Sequence, residues 1–278
     1  MGRTVKRKIA AFAKAHGHAP LALITGGSSG MGLEFARQLA SSGCPLILVS
    51  KQQEQLDSAK EELTSKYGVT VYTRFQDLCS ETAAEDLVAW CEEQGHDVDI
   101  LIANAGMFFF HSLDEKTHSK AKKMVSLHVV TNTNLCILFA NKFKAKGYGN
   151  IVIMSSMAAE LPSPGITIYA ATKAYLKSFA KSLHCELRPY GVTVTGICPA
   201  AIATPLYNLD PKLMKFGVAI LAIHTPTWLV NRALRGTFRR KRLVKPSMMN
   251  IYLPIIFNLI GKRTMSFVYK KVTKKIDK

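Results

Sequence analysis

Leu21-Ala22-Leu23-Ile24-Thr25-Gly26-Gly27-Ser28-Ser29-Gly30-Met31-Gly32 is the stretch that decides how this chain folds. Its first four residues are all apolar, as a strand buried on both faces requires. Glycines follow at once. A helical pattern then runs through Phe35, Ala36, Leu39 and Ala40, is stopped by Gly43, and gives way to a turn fixed by Pro45. A strand, a glycine-rich turn and a helix form the layout of a nucleotide phosphate site. Gly26, Gly30 and Gly32 let the backbone turn tightly and approach a pyrophosphate, while the helix offers free N–H groups and a positive dipole end. The spacing is Gly-x-x-x-Gly-x-Gly, not the common Gly-x-Gly-x-x-Gly.

The same alternation continues outward. Residues 46–49 read as a second strand, about 54–67 as a polar helix ended by Gly68, and 69–75 as a third strand. Ser80 is placed to cap a helix through Leu87, Val88 and Trp90. A fourth strand is predicted over 99–103, a long helix over roughly 117–146, and a fifth strand over 151–154. A second long helix covers about 166–188, and a sixth strand 192–197. Short strands that are apolar on both faces, alternating with helices, predict an α/β fold: a parallel sheet with helices on both sides. No repeat or domain boundary interrupts it before about residue 204. Beyond Thr204 come helical apolar segments, and then Arg239 to Lys245 as a final edge strand. An apolar stretch over 248–260 is broken by Pro254, and a lysine-rich end follows.

A chain of 278 residues with 48% hydrophobic and 20% charged residues has ample material for one large core. Its net charge of +18 is unevenly placed. Residues 1–20 carry five bases and no acid; residues 205–278 carry sixteen bases against Asp210 and Asp277; the body between is nearly neutral. Two basic ends on a neutral body predict attraction to an anionic surface. The six cysteines are scattered, without a Cys-x-x-Cys pair or a histidine cluster. They read as reduced thiols in a cytoplasmic protein, with no metal site. Residues 9–15 are too short and too basic for a secretory signal core. Lys6 stands where a myristoylation signal needs Ser or Thr. No uninterrupted apolar run reaches the length of a spanning helix.

Tyr169-Ala170-Ala171-Thr172-Lys173 places a phenol and an ammonium one helical turn apart on one face. The cation stabilises the phenolate and draws the tyrosine pKa down from about 10, which suits a general acid/base near neutral pH. Ser156, thirteen residues before Tyr169, is placed to hydrogen-bond the same substrate oxygen. Tyr and Lys at this spacing also occur on many solvated helices.

Together these residues resemble the short-chain dehydrogenase/reductases. Thr25-Gly-x-x-x-Gly-x-Gly32 is similar to that family's cofactor motif, Asn104-Ala105-Gly106 to its Asn-Ala-Gly motif, and Ser156 with Tyr169-x-x-x-Lys173 to its catalytic set. The likeness covers roughly residues 20–204. It implies a single Rossmann-like domain with a doubly wound, seven-stranded parallel sheet. It also implies roles. Tyr169 exchanges the proton, Lys173 lowers its pKa and binds the nicotinamide ribose, and Ser156 holds the substrate oxygen. Asp77 and Leu78 contact adenine, and Asn104, Ala105 and Gly106 support the cofactor cleft. Ser28, Ser29 and Met31 belong to the glycine turn, and Pro199, Ile202 and Thr204 cradle the nicotinamide end. Pro199-Ala200 stands where Pro-Gly is usual.

Two further departures carry consequences. Many members place an asparagine in the helix before the fifth strand, where it bends the helix and anchors a proton-relay water. Counting back from Gly149 puts His128 there, as a relay member or as a core histidine, with Asn132 and Asn134 as the substitutes if the register shifts. NAD-preferring members carry an acid at the end of the second strand. Here that segment is Val49-Ser50-Lys51-Gln52, and Lys51 is placed to neutralise a 2′-phosphate, or is simply a solvated charge. The expected cofactor is NADP(H).

The chain divides into a basic leader (1–20), a catalytic domain (21–245, substrate loop about 205–235) and a basic amphipathic extension (246–278). Apolar Ile255, Ile256, Phe257 and Ile260 beside Lys262 and Arg263 predict peripheral attachment to an anionic membrane, on its cytoplasmic face, over a merely solvated tail. Lipid-active members such as ketoacyl and ketosphinganine reductases look similar in this respect. The expected activity is therefore interconversion of a ketone and a secondary alcohol on a lipophilic substrate. The alternatives are a hydroxysteroid dehydrogenase and a non-catalytic cofactor-binding scaffold or sensor. Relatives imply a homodimer or homotetramer. Nucleic acid is not expected as a partner, since the tail has no recognised binding module.

Overall fold

The computed structural model describes residues 2–110, 115–203, 224–259, 266–267 and 270. Among them are seven strands: β1 (Ala22–Thr25), β2 (Leu46–Ser50), β3 (Val71–Phe75), β4 (Ile100–Ala103), β5 (Gly149–Met154), β6 (Val192–Ile197) and β7 (Leu243–Val244). They form one sheet in the order β3-β2-β1-β4-β5-β6-β7. Every neighbouring pair is parallel. The chain winds one way from β1 to β3 and the other way from β4 to β7, so β1 and β4 meet at the switch point. Ligand clefts open there, beyond the carboxyl ends of the strands.

Successive strand residues point to opposite faces, and both faces are covered by helices, which explains why β1, β2 and β4 are apolar almost throughout. Ala22, Ile24, Leu46, Leu48, Ile100 and Ile102 pack against α1 (Arg3–His16), α2 (Gly30–Ala40), α3 (Gln53–Tyr67) and α8 (Pro226–Thr237). Leu23, Ile47, Val49, Leu101, Ile151 and Ile153 pack against α4 (Ala83–Glu93), α6 (Asn132–Lys146) and α7 (Thr167–Leu187). The helices supply matching stripes, such as Leu56, Ala59 and Leu63 of α3. The basic leader folds into this core: Val5 and Ile9 of α1 are buried with Leu229, Val230, Ala233 and Leu234 of α8.

Several expectations from the sequence are revised. The helix predicted over 117–146 has three parts: α5 (His118–Val125), a π-helical turn (Ser126–Thr131) and α6. The extra residue frees carbonyls from the ladder, and the Asn132 Nδ2 group donates to those of Leu127 (3.0 Å) and His128 (3.2 Å). Ser80 does not cap α4. Its hydroxyl donates to the Asp77 carbonyl at 3.1 Å, and the helix begins at Ala83. The edge strand predicted over 239–245 shrinks to Leu243–Val244, because Arg239 to Lys241 turn back on α8: Lys241 N–H donates to Gly236 O at 3.0 Å, and Arg240 has φ 55°. Pro254 sits inside α9 (Met249–Leu259) instead of breaking it.

One helical run, His118–Lys146, is long and apolar enough by length and composition to cross a membrane; half of its most apolar window is buried in the domain. The count of uninterrupted apolar residues missed it because polar residues are spread through the run. Its buried residues Leu135, Cys136, Phe139, Ala140 and Phe143 pack on the sheet. The expectations for Thr204, for the loop residues 205–223 and for most of the tail beyond 259 lie outside the described residues.

Candidate active site

A cleft of about 330 Å³ opens beyond the ends of β1, β4 and β5. Its floor is the glycine turn. Gly26 and Gly30 have φ of 63° and 53°, in the region that disfavours side chains. A Cβ on Gly32 would lie 2.0 Å from the Gly26 carbonyl oxygen, so only glycine closes the turn onto α2. Ser29 precedes α2 and makes no side-chain cap, which leaves the first N–H groups of the helix unclaimed by a cap. The Thr25 hydroxyl accepts from the N–H groups of Asn104 and Ala105, each at 3.0 Å, and Asn104 Nδ2 donates to the Thr25 carbonyl at 3.0 Å. Asn104 Oδ1 is buried without a partner. A backbone floor without Cβ atoms, an uncapped helix start and an orphaned buried acceptor together fit a dinucleotide pyrophosphate.

The catalytic candidates come from α7 and β5. Tyr169 and Lys173 are both buried in the cleft wall, with the Lys173 Nζ 5.6 Å from the Tyr169 ring centre. Nζ donates to the Met154 carbonyl at the end of β5 (2.9 Å), and the Ser155 hydroxyl donates to the Lys173 carbonyl (2.7 Å), which fixes α7 against the strand. Burial lowers the Lys173 ammonium to about 8. Ser156 begins a 3-10 turn, where its Oγ accepts the Ala158 N–H at 3.1 Å. Phe108 meets the Tyr169 ring edge-on at 5.1 Å.

His128, in the π-helical turn, lines the same cleft and is fully buried. Its Nε2 accepts the Met107 N–H at 2.9 Å, its Nδ1 lies 2.9 Å from the Thr172 hydroxyl, and that hydroxyl donates to the Tyr169 carbonyl at 2.8 Å. With the threonine proton committed, Nδ1 is the nitrogen that carries hydrogen. Burial, then the nearby Lys173 charge, holds the imidazole well below its usual pKa, so it stays neutral. Gly106 leaves room for it, since a Cβ there would stand 3.0 Å from Nε2. Asn132 lies beneath the turn, and Asn134 points away toward Glu85.

A second cleft of about 180 Å³ shares Gly26, Ser29, Ala105 and Gly106 with the first and extends it past Lys51, Asp77 and Leu78. Lys51 Nζ lies 3.6 Å from Asp77 Oδ2, both side chains being more than half exposed. Burial tends to raise the Asp77 carboxyl, but the Cys79 N–H and the Lys51 charge hold it below its ordinary value. Ser28 turns away to Ser50 (2.8 Å) and fastens the glycine turn to β2. Met31, Pro199 and Ile202 line the first cleft.

Ser155, Thr172 and the Met107 N–H were given no role from the sequence, and Thr25 only a place in the cofactor motif, although each orients a residue that was singled out. Phe108-Phe109-Phe110 was also passed over; this half-buried run follows Met107, and Gly165 is bare where a Cβ would strike the Phe110 ring at 2.4 Å. Among the described residues, no group of three or more His, Cys, Asp or Glu side chains is placed to hold a metal.

Known proteins place this geometry. The chain is 28% identical over 269 residues to the human very-long-chain 3-oxoacyl-CoA reductase, covering 91% of this chain and 83% of that protein. Its fold matches a short-chain dehydrogenase from Sphingobium yanoikuyae solved in complex with NADPH, with a TM-score of 0.75 and 27% identity over 93% of this chain and 96% of that one. It matches the bulky-bulky ketone specific alcohol dehydrogenase from Comamonas testosteroni with a TM-score of 0.72 and 26% identity, covering 93% and 94% of the two chains. A family model described as short chain dehydrogenase matches residues 20–212, a span that takes in every residue lining the main cleft. The chain belongs to the short-chain dehydrogenase family.

Proposed function

We propose that this chain is an NADP(H)-dependent oxidoreductase interconverting a ketone and a secondary alcohol on a lipophilic substrate, of long-chain keto-acyl or ketosphinganine type. The observation that carries the reading is the buried Lys173 ammonium beside Tyr169 in the wall of a cleft floored by a pyrophosphate-shaped turn.

When bound, a nicotinamide dinucleotide supplies or accepts the hydride at the substrate carbon. The chain's own residues manage the oxygen. Tyr169 gives its phenolic proton to the carbonyl oxygen on reduction and takes it back on oxidation. Lys173 stays largely protonated at neutral pH and stabilises the phenolate left behind. Ser156 Oγ accepts from Ala158, and its own O–H donates to the substrate oxygen. Gly26, Ser29, Gly30, Met31 and Gly32 hold the pyrophosphate region, and Pro199 and Ile202 the nicotinamide end. Lys51, where the end of β2 carries no carboxylate, exchanges Asp77 for a 2′-phosphate. His128, held neutral, orients Tyr169 through Thr172.

Phe108 beside Tyr169, the first of three consecutive phenylalanines, supports a lipophilic substrate, as do the named substrates of the similar reductase and ketone-specific alcohol dehydrogenase. A hydroxysteroid dehydrogenase would use the same residues, and a panel of ketolipids and ketosteroids separates the two. Exposed Val130, Ile137 and Tyr175 on α6, α7 and the π-helical turn support pairing of two or four copies through that face. The basic ends support residence at a cytoplasmic membrane surface.

The test is Tyr169→Phe, assayed by NADPH absorbance. Turnover is expected to fall by about 10²–10⁴-fold with dinucleotide binding retained. Full activity of the variant would refute the mechanism, and loss of nothing because the parent has no activity on any ketone would favour the scaffold. A clear preference of the parent for NADH would overturn the role of Lys51.

A further inference from the structure

The two basic ends, more than two hundred residues apart in sequence, meet in the fold. The first turn of α1 lies against α8: a Cβ on Gly2 would stand 3.4 Å from Asn231 Oδ1 and 3.7 Å from Arg235 Cδ. The apolar face of α1 is committed to the core through Val5 and Ile9, so Arg3, Lys6, Arg7 and Lys8 are left exposed on a helix whose start packs against α8. Gly236 admits Val244 so closely that a Cβ would lie 2.2 Å from Val244 Cγ2. That approach brings Arg232, Arg235 and Arg239 together with Lys241 and Lys245 around one groove of about 240 Å³. Arg232 lies over the Trp228 ring at 4.5 Å. Among the described residues, Lys245 is paired with Glu160 at 2.8 Å, and no carboxylate is paired with Arg232, Arg235, Arg239 or Lys241.

An apolar face begins where this groove ends. From Pro246 the chain enters α9, whose start is fixed to the core by Asn250 Nδ2 donating to the Cys198 carbonyl at 2.6 Å and by the Ser247 hydroxyl 3.1 Å from His224 Nε2. Cys198 adjoins Pro199 of the cleft. Met248, just before α9, and Tyr252, Ile255 and Ile256 on it are all at least half exposed, and the last three fall within one stripe of the helix.

We propose that α1, α8 and the turn before β7 form a cationic face which, with the apolar side of α9, docks this chain onto a bilayer containing anionic phospholipid. The cations meet the phosphate-bearing headgroups, while Met248, Tyr252, Ile255 and Ile256 enter the boundary with the acyl chains. Nucleic acid would neutralise the cations and leave that apolar side in water, so the bilayer is the occupant that accounts for both features. Docking sets the Cys198–Pro199 rim of the cleft close to the membrane, where a lipid-dissolved ketone enters. The docking face deepens the membrane residence proposed above, and the entry of a ketone rests on the activity proposed there.

The test uses the full chain with phosphatidylcholine vesicles, with or without roughly 30% phosphatidylserine. The parent is expected to sediment with the anionic vesicles only, and to be released by molar salt as the screening length falls to about 3 Å. Each cation at such a surface is worth about a fivefold change in partitioning, so Arg232→Gln, Arg235→Gln and Arg239→Gln combined are expected to weaken binding roughly 100-fold. Ile255→Ser with Ile256→Ser is expected to weaken it roughly tenfold or more and to leave the salt dependence in place. Circular dichroism confirms that both variants fold, and their reduction of a water-soluble ketone is expected to match the parent's. Equal binding of parent and arginine variant to anionic vesicles overturns the proposal. So does tight binding of duplex DNA, lost in the arginine variant, with no binding to vesicles. Absence of ketone turnover alongside intact vesicle binding would strike the proposed function and leave the docking face standing.

Discussion

Replacing Lys173 with methionine is expected to stabilise the cofactor-free chain near neutral pH while abolishing its turnover. The ammonium is buried in the cleft wall, and burial moves it from the usual 10.5 to about 8. At about 1.4 kcal/mol per unit, the native state carries a cost of about 3 kcal/mol for holding that charge at pH 7. Methionine keeps the stem volume and removes the charge, but it strips the Met154 carbonyl of the Nζ hydrogen bond, a loss of about 1–3 kcal/mol. The net is about 1 kcal/mol in the variant's favour, or about 2–4 °C in Tm. The pH dependence identifies the cause. Below about 8 both states of the parent are protonated and the full cost is present. Between about 8 and 10.5 the unfolded chain binds the proton and the native one does not, so the parent gains stability as pH rises. The variant's advantage therefore shrinks across that window and then reverses, because the lost hydrogen bond remains. Thermal unfolding of both proteins by circular dichroism, from about pH 7 to about pH 10 without cofactor, measures it. A stability difference that is flat across the window would refute the reasoning, as would a variant already less stable at pH 7.

Two further outcomes follow from distances in the site. Gly32→Ala puts a methyl group 2.0 Å from the Gly26 carbonyl oxygen; it is expected to cost about 1–3 kcal/mol in urea unfolding and to abolish detectable NADPH fluorescence enhancement. His128→Asn is expected to keep turnover within about tenfold, because asparagine offers the same one acceptor and one donor, whereas His128→Leu leaves the Met107 N–H unpaired and is expected to lower stability by about 1–3 kcal/mol. The parent is also expected to lose stability as pH falls below the free histidine value of about 6.5, since the unfolded chain gains a proton that the native imidazole refuses, and His128→Asn reduces that slope.

The sheet was legible because its strands are short runs of apolar or β-branched residues between helical patterns, so β1, β2, β4, β5 and β6 are predicted within a few residues of their ends. The glycine turn was legible because the steric demand at Gly32 is local. What failed depended on contacts distant in sequence. Arg239 to Lys245 have no pattern of their own that says where a strand starts; the turn back onto Gly236 decides it. The π-helical turn is likewise invisible to a 3.6-residue period, since it needs Asn132 to satisfy the carbonyls it releases. Ser155 and Thr172 looked like ordinary small polar residues, and Thr25 like a motif letter without a task, until the fold showed what each of them holds. The charge asymmetry and its pull toward an anionic surface were legible in the sequence, but not the packing of α1 with α8 that brings the two basic ends together.

If His128 stands where many members carry asparagine, the two side chains meet the same hydrogen-bonding demands here. The position must accept the Met107 N–H and donate toward Thr172, so that the carbonyl of Tyr169 receives the threonine proton. An asparagine side chain has one carbonyl and one amide for this. A histidine matches it only as the neutral Nδ1–H tautomer. Protonation would replace the acceptor facing Met107 with a second donor and set a cation beside Lys173. Burial first, and the Lys173 charge second, exclude that form. Under the proposed function the lysine acts twice: its charge readies Tyr169 for proton transfer, and the same charge helps keep the neighbouring imidazole in the neutral form that accepts from Met107.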